Sequence, residues 1–217
     1  MSVLSIDLFW SFRSPYSYLA TARLREMHAR YALDVQVRPV LPLAVRTPEF
    51  FQRVNPLFPP YLVRDVLRLG EFHRIPIRWP RPDPVVMESD GSYPADQPHI
   101  HRLTRLGVAA AERDRGLPFL DEVSKIIWDG SIEGWHEGRH LSDAAERAGL
   151  DLAALDEAIE KDPQHFADAI ERNQQALEAA GHWGVPTMVF DGEPFFGQDR
   201  LDLLLWRLKN AGLTARE

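Results

Sequence analysis

The chain has 217 residues, with 25 Lys plus Arg against 32 Asp plus Glu, a formal net charge of −7. Hydrophobic residues make up 45% and charged residues 26%, the balance of a globular protein and not of a disordered one. The acidic surplus argues against a partner held through a phosphate backbone, so no nucleic acid is expected, and the absence of cysteine excludes disulfide frameworks, cysteine nucleophiles and cysteine-ligated zinc. The N-terminal M-S-V-L-S-I-D lacks a basic start and carries Asp7 in its first apolar run, so it does not read as a secretory signal. No uncharged apolar stretch approaches the roughly 20 residues of a spanning helix. No membrane association is expected, and a cytoplasmic location is the default expectation.

In chain order, residues 3–10 (V-L-S-I-D-L-F-W) read as a buried strand. Ser14-Pro15 then opens a helix, Ser as N-cap and Pro at N1, continued by Leu19, Ala20, Leu24 and Met27. Residues 34–40 alternate as a half-buried strand with Pro39 at its end. Five prolines crowd residues 41–60, which predict a loop with a short helical turn at 48–54. A helix is predicted from Tyr61 to about Gly70, an irregular proline-rich stretch over 76–98, and helices almost throughout 98–180, one of them opened by Ser142 and closed by Gly149. The T-M-V-F, Asp191-Gly192, E-P-F-F run is a hairpin signal, since Asp-Gly suits the two positive-φ positions of a type I′ turn. A last amphipathic helix carries Leu201, Leu204, Leu205 and Leu208. The order β-α-β, helical block, β-hairpin-α predicts an α/β thioredoxin-like domain from residues 1–50 and 181–217, with a large all-helical insertion over 51–180.

The segments S-P-Y-S-Y-L-A, G-V-P-T and F-F-G-Q-D-R-L, with N-P-L-F-P-P-Y and E-G-R-H-L-S-D between them, resemble in collinear order the kappa-class glutathione transferases. They look still more like the bacterial 2-hydroxychromene-2-carboxylate isomerases, within the DsbA-like branch of thioredoxin folds. The resemblance implies glutathione as cofactor. Ser14 stands where thioredoxin-like proteins carry a redox cysteine. Read from the residues alone it is an N-cap; the same hydroxyl can also donate to an anion at the helix N-terminus, and the resemblance makes that anion the glutathione thiolate, with Ser14 as the catalytic residue. The resemblance further implies that Val185, before a cis Pro186, pairs with the cysteinyl part of glutathione, that Gln198, Asp199 and Arg200 meet its γ-glutamyl end, and that Asn55 contacts it. Locally, Asp199 also reads as a helix cap and Asn55 as a turn residue.

An aromatic carboxylate substrate needs a cation and an aromatic wall. Arg46 is one candidate for the first, with Arg13 and Arg53, and Tyr18 for the second, with Trp10, Tyr16 and Phe58; the alternatives are solvent-facing arginines and core aromatics. Phe12-Arg13 occupies positions where the family has smaller, apolar residues. His136-Glu137-Gly138-Arg139-His140 fits H-E-x-x-H, but Gly138 and the helix start near Ser142 predict a loop, and the extended pattern fails at Asp143 and Glu146; no metal is expected. The function implied is a glutathione-dependent isomerase that interconverts a cyclic hemiketal and an open trans-alkenyl pyruvate. The alternatives are a kappa-like transferase and a redox-inactive thioredoxin-like binding module. A small aromatic substrate and a homodimer are the expected partners.

Overall fold

The structure, a computed structural model, describes residues 3–216, the Gln52 side chain aside; Met1 and Ser2 of the N-terminal segment read above, and Glu217, lie outside the described residues. Strand β1 (Leu4–Trp10) leads through helix α1 (Pro15–Arg30) to β2 (Leu33–Pro39), and the two strands pair in parallel from Leu4 opposite Leu33 to Trp10 opposite Pro39. Pro39 therefore ends the ladder, where its missing N–H removes no central hydrogen bond. Strands β3 (Thr187–Phe190) and β4 (Glu193–Phe196) form the hairpin, and β3 runs antiparallel to β1, giving the order β2-β1-β3-β4. Asp191 and Gly192 take φ of 50° and 77°, the paired left-handed conformations of a type I′ turn. β1 lies inside the sheet, and Leu8, Phe9 and Trp10 are no more than 1% exposed, which is why its sequence is nearly all apolar.

The helical block begins with two short helices, α2 (Leu43–Arg46) and α3 (Phe50–Arg53), followed by α4 (Phe58–His73). α4 starts three residues before the expected Tyr61 because Pro59 and Pro60 occupy its first turn, where an N–H has no partner to lose. It runs on to Arg74, whose φ of 57° breaks it. Then come α5 (Ile100–Ala111), α6 (Gly116–Trp128), α7 (His140–Arg147), α8 (Leu152–Lys161) and α9 (Pro163–Ala179). α7 opens at His140, not Ser142. The H-E-x-x-H run is thus a loop with Gly138 at φ 55°, and only its second histidine is helical. A 3-10 turn (Gln198–Arg200) runs into α10 (Leu201–Asn210). Among the described residues no helix is long and apolar enough to cross a membrane.

Both parts share one apolar core: α5 packs on β2 and α6 on α1. Its densest point lies under the turn between β1 and α1. Trp10 and Phe12 meet edge to face at 4.7 Å, and Phe12 meets Phe119 of α6 at 6.2 Å. Trp10 Nε1 donates to Ser17 O (3.1 Å) and Thr21 Oγ1 (3.0 Å), and Trp128 Nε1 donates to Phe12 O at 2.9 Å. One buried indole thus satisfies a carbonyl of the turn at Phe12, and the other ties the end of β1 to the first turns of α1. Residues 74–99 form no helix or strand. They are strapped on by Tyr18 Oη to Pro76 O (2.7 Å), Arg78 N to Trp128 O (2.6 Å) and Trp135 Nε1 to Pro82 O (2.8 Å).

Candidate active site at the start of helix α1

Ser14 caps α1 with extended φ, ψ of −94° and 112°, and its Oγ accepts from Ser17 N at 3.2 Å. The same Oγ lies 3.1 Å from Val185 O, to which it donates. Val185 precedes Pro186 through a cis peptide bond. The cap residue of α1 and the loop before β3, 171 positions apart in the chain, are therefore in direct contact. The Val185 N–H has no hydrogen-bond partner among the described residues, so the residue whose carbonyl meets Ser14 at the positive end of a 16-residue helix also carries one unengaged backbone donor. Such an end favours an anion by roughly 0.3–1 kcal/mol per exposed interaction, more when partly buried. The hydroxyl can turn its proton from Val185 O to an incoming anion without losing the Ser17 N–H, because a hydroxyl both donates and accepts.

The 198–200 turn opens the last helix nearby. Gln198 is buried, with its Oε1 unpartnered among the described residues, and its carbonyl accepts from Arg23 at 3.3 Å. Asp199 and Arg200 are exposed and pair with each other at 2.9 Å. Tyr16, at the second position of α1, donates to Asp65 Oδ2 of α4 at 2.9 Å. Burial first, then the Asp65 carboxylate, pushes its phenol well above the usual range, and Asp199 adds to the shift. Tyr16 thus ties the first turn of α1 to α4.

The other expected site residues are engaged by partners of their own. Asn55 is exposed, and its Oδ1 accepts from Leu57 N at 3.0 Å, a local turn. Tyr18 is 6% exposed, its ring stacked 6.5 Å from that of Trp128 and its hydroxyl held by Pro76 O, so it packs in the core. Arg46 is half-buried, donating from Nε to Leu41 O at 3.0 Å and from Nη2 to Trp183 O. Desolvation lowers its pKa. Its guanidinium anchors the loop ahead of Val185. Arg13 pairs with Asp83 and lies 4.8 Å over the Trp79 ring and 5.7 Å from that of Trp128. A recess of about 390 Å³ between α4 and residues 74–77 is lined by neither Ser14 nor Val185.

Sequence reasoning missed the aromatic shell around the Val185 loop. His182 stacks on Phe196 at 4.0 Å, and Trp183 lies 5.1 Å from Phe50. A Cβ on Gly184 would fall 2.5 Å from Phe196 Cε2, so only glycine lets that ring sit against the loop. The one signal was His-Trp-Gly immediately before V-P-T; the contacts with Phe50 and Phe196 follow no spacing rule.

His182 Nδ1 accepts from Gly184 N at 2.9 Å, and burial holds the imidazole below its usual pKa. In the unfolded chain the ring protonates near 6.5. The folded preference for the neutral ring therefore adds stability above that pH and loses it as pH falls through the lowered folded value. Thermal melts between pH 7 and 5 are expected to fall less steeply for His182→Asn, whose Oδ1 can still accept the Gly184 N–H without titrating. An unchanged slope would show that His182 stays protonatable in the fold.

A family model for the DSBA-like thioredoxin domain matches residues 5–209. The chain belongs to the DSBA-like thioredoxin family. Among similar proteins, a 2-hydroxychromene-2-carboxylate isomerase of Sphingobium xenophagum is 26% identical over 204 residues, covering 92% of this chain and 95% of that one. Glutathione S-transferase kappa 1 of Homo sapiens is 27% identical over 221 residues, covering 92% and 88%. In structure, a 2-hydroxychromene-2-carboxylate isomerase superposes with a TM-score of 0.72 at 20% identity, over 96% of both chains. This DSBA-like chain has no cysteine at the start of α1 or elsewhere, so its chemistry is not thiol–disulfide exchange by its own residues.

Proposed function

We propose that the protein is a glutathione-dependent isomerase of the 2-hydroxychromene-2-carboxylate type. It would convert a cyclic hemiketal into an open trans-alkenyl pyruvate with no net redox change. The observation that carries this reading is the Ser14 hydroxyl at the α1 N-terminus, 3.1 Å from Val185 O beside the cis Pro186. Named relatives of both the isomerase and the kappa transferase type, over nearly the full length, support it.

The residues present fit glutathione. The unpaired Val185 N–H suits the cysteinyl carbonyl, and the buried, unpartnered Gln198 Oε1 beside Asp199 suits an ammonium. Bound there, glutathione supplies a thiolate, the nucleophile of covalent catalysis. Ser14 holds that sulfur deprotonated through its O–H, and the α1 N-terminus adds a fixed positive potential. Arg46 keeps the Trp183–Val185 loop in register by gripping Trp183 O. Each pKa unit removed from the thiol is about 1.4 kcal/mol of preference for the thiolate.

A transferase that releases its conjugate is the second reading. It is favoured by one observation: Arg13 and Arg46 are already engaged by Asp83 and by backbone carbonyls, leaving a substrate carboxylate without either cation. Titration calorimetry with glutathione, followed by ultraviolet difference absorbance of the thiolate, tests the shared step. Binding with thiolate formation at neutral pH is expected; no binding overturns both readings. Mass balance with an aromatic electrophile then separates them, since an accumulating conjugate rejects the isomerase.

A further inference from the structure

The backbone on either side of Val185 is held at every polar group but one. Arg46 Nη2 donates to Trp183 O. Gly184 N donates to His182 Nδ1 at 2.9 Å, and Gly184 O accepts from Thr187 Oγ1 at 2.7 Å. Val185 O accepts from Ser14 Oγ at 3.1 Å, and Pro186 O accepts from Gly197 N at 2.9 Å. From Trp183 O to Pro186 O only the Val185 N–H is left without a partner among the described residues. Its direction is set by its neighbours and not by a bond of its own. The peptide group joining Trp183 to Gly184 is gripped at both ends, by Arg46 on its carbonyl and by His182 on its N–H. The next peptide group, which carries the Val185 N–H, is gripped only at its carbonyl. Gly184 lies between the two, and a glycine turns freely once one of them is released.

His182 is the part of this arrangement that a proton can undo. A backbone amide donates to Nδ1 only while that nitrogen keeps its lone pair, so the ring is neutral with its proton on Nε2. An imidazolium carries a proton on both nitrogens and would set a donor against the Gly184 N–H. The other holds on the loop come from two hydroxyls, a backbone amide and a guanidinium, groups that ordinarily keep their charge between pH 5 and 8. The ring stacks on Phe196 at 4.0 Å and on Trp183 at 5.3 Å, and burial disfavours its charged form. The charges around the loop are Arg46 of α2, with Glu178 of α9 acting on it, and the Glu193–Arg207 pair that joins β4 to α10. Among the described residues none of them pairs with His182 to hold a proton on it.

We propose that His182 is a positioning residue for glutathione, whose neutral ring fixes the direction of the Val185 N–H and whose protonation frees Gly184 and turns uptake of the tripeptide down in mild acid. The stack on Phe196 does not depend on the proton, so the amide moves and not the ring. Protons and glutathione then oppose one another at this loop. Binding that uses the Val185 N–H favours the neutral ring, and a proton on the ring disfavours binding by the same factor. The assignment deepens the glutathione reading and rests on it.

The test follows the full chain from pH 8 to pH 5. In the protein alone, the Gly184 amide resonance is expected to move with the His182 ring resonance, and the Val185 amide to shift in step. Calorimetry with γ-glutamyl-alanyl-glycine, a glutathione analogue without a thiol, then reads uptake with no sulfur to titrate. The native protein is expected to bind it about fivefold more weakly at pH 5 than at pH 8. His182→Asn, whose Oδ1 accepts the Gly184 N–H in either condition, is expected to bind it with one affinity at both. His182→Ala, with no acceptor, is expected to bind about fivefold more weakly than the native protein at pH 8. A Gly184 amide that stands still while the ring titrates overturns the assignment, as does an affinity of His182→Asn that falls as steeply as the native one. Uptake of neither glutathione nor the analogue by the native protein at pH 8, with the Gly184 amide still following the ring, rejects the glutathione reading and leaves His182 as the proton-sensitive latch of the loop.

Discussion

Ser14→Ala is expected to lower kcat/KM with glutathione by about 100-fold, the loss seen when one preorganised donor to a developing or resident anion is removed. The thiol pKa of bound glutathione should rise in parallel, read directly from thiolate absorbance against pH. The cost to the fold is far smaller. Ser14 Oγ caps α1 through Ser17 N, and loss of such a cap is about 1 kcal/mol, or a few degrees in Tm for a chain of this size. The two effects are therefore separable: turnover collapses in a protein that still melts cooperatively. A variant with native turnover and native thiolate absorbance would show that the α1 N-terminus and Val185 hold the sulfur without the hydroxyl.

Trp128→Ala is expected to be the most destabilising single change around the site. Trp128 is fully buried. Its Nε1 satisfies Phe12 O, and its ring stacks on Tyr18 and meets Trp79 edge to face at 5.5 Å. Removing a buried indole costs about 3–5 kcal/mol, against a total stability of about 5–15 kcal/mol for a typical domain. A drop of about 10 °C or more in Tm is the expected reading. Trp128→Phe keeps most of the packing but leaves Phe12 O without its donor, and should fall in between. If Trp128→Phe melted as low as the alanine variant, the hydrogen bond to the turn would outweigh the packing. If both melted like the native protein, the β1–α1 turn would not depend on α6.

Elements whose instructions are local were legible in advance. Ser14-Pro15 specifies a helix start through the geometry of those two residues alone. Asp191-Gly192 specifies its turn because few other pairs tolerate two consecutive positive φ values. Pro39 falls where a strand can lose a donor. Where prolines were read as loop, part of the expectation failed. Pro59 and Pro60 form the first turn of α4, and Leu43–Arg46 makes a full turn directly after Pro42. A proline forbids a helix behind it and permits one ahead of it, and the pattern of apolar residues did not settle which applied. His140 opens α7 without any side-chain cap, so the sequence carried no sign of that start and pointed to Ser142.

The candidate site divides the same way. The resemblance assigned Ser14 and the Val185–Pro186 pair separate parts of one glutathione; the direct hydrogen bond between Ser14 and Val185 O is a finding of the fold. Tyr18 and Arg46 could not be placed from composition, since an aromatic or an arginine serves a core as well as a ligand. Tyr18 is drawn inward because Pro76 O offers its hydroxyl a partner, and Arg46 because two backbone carbonyls do. Phe50 and Trp183 went unremarked, because their contact joins residues far apart in the chain that no spacing rule relates.

By itself the sequence determined the β-α-β and hairpin-α frame, the serine cap in place of a thiol, and the exclusion of cysteine chemistry, because each is written in residue types or in short-range backbone preferences. Only the tertiary structure decided which arginines are already paired, which tyrosine is buried, and which aromatic rings meet on the loop before Val185. Those outcomes depend on contacts between residues up to 171 positions apart. Each is selected by burial and by the need to pair every buried polar atom, conditions that exist only once the chain has packed.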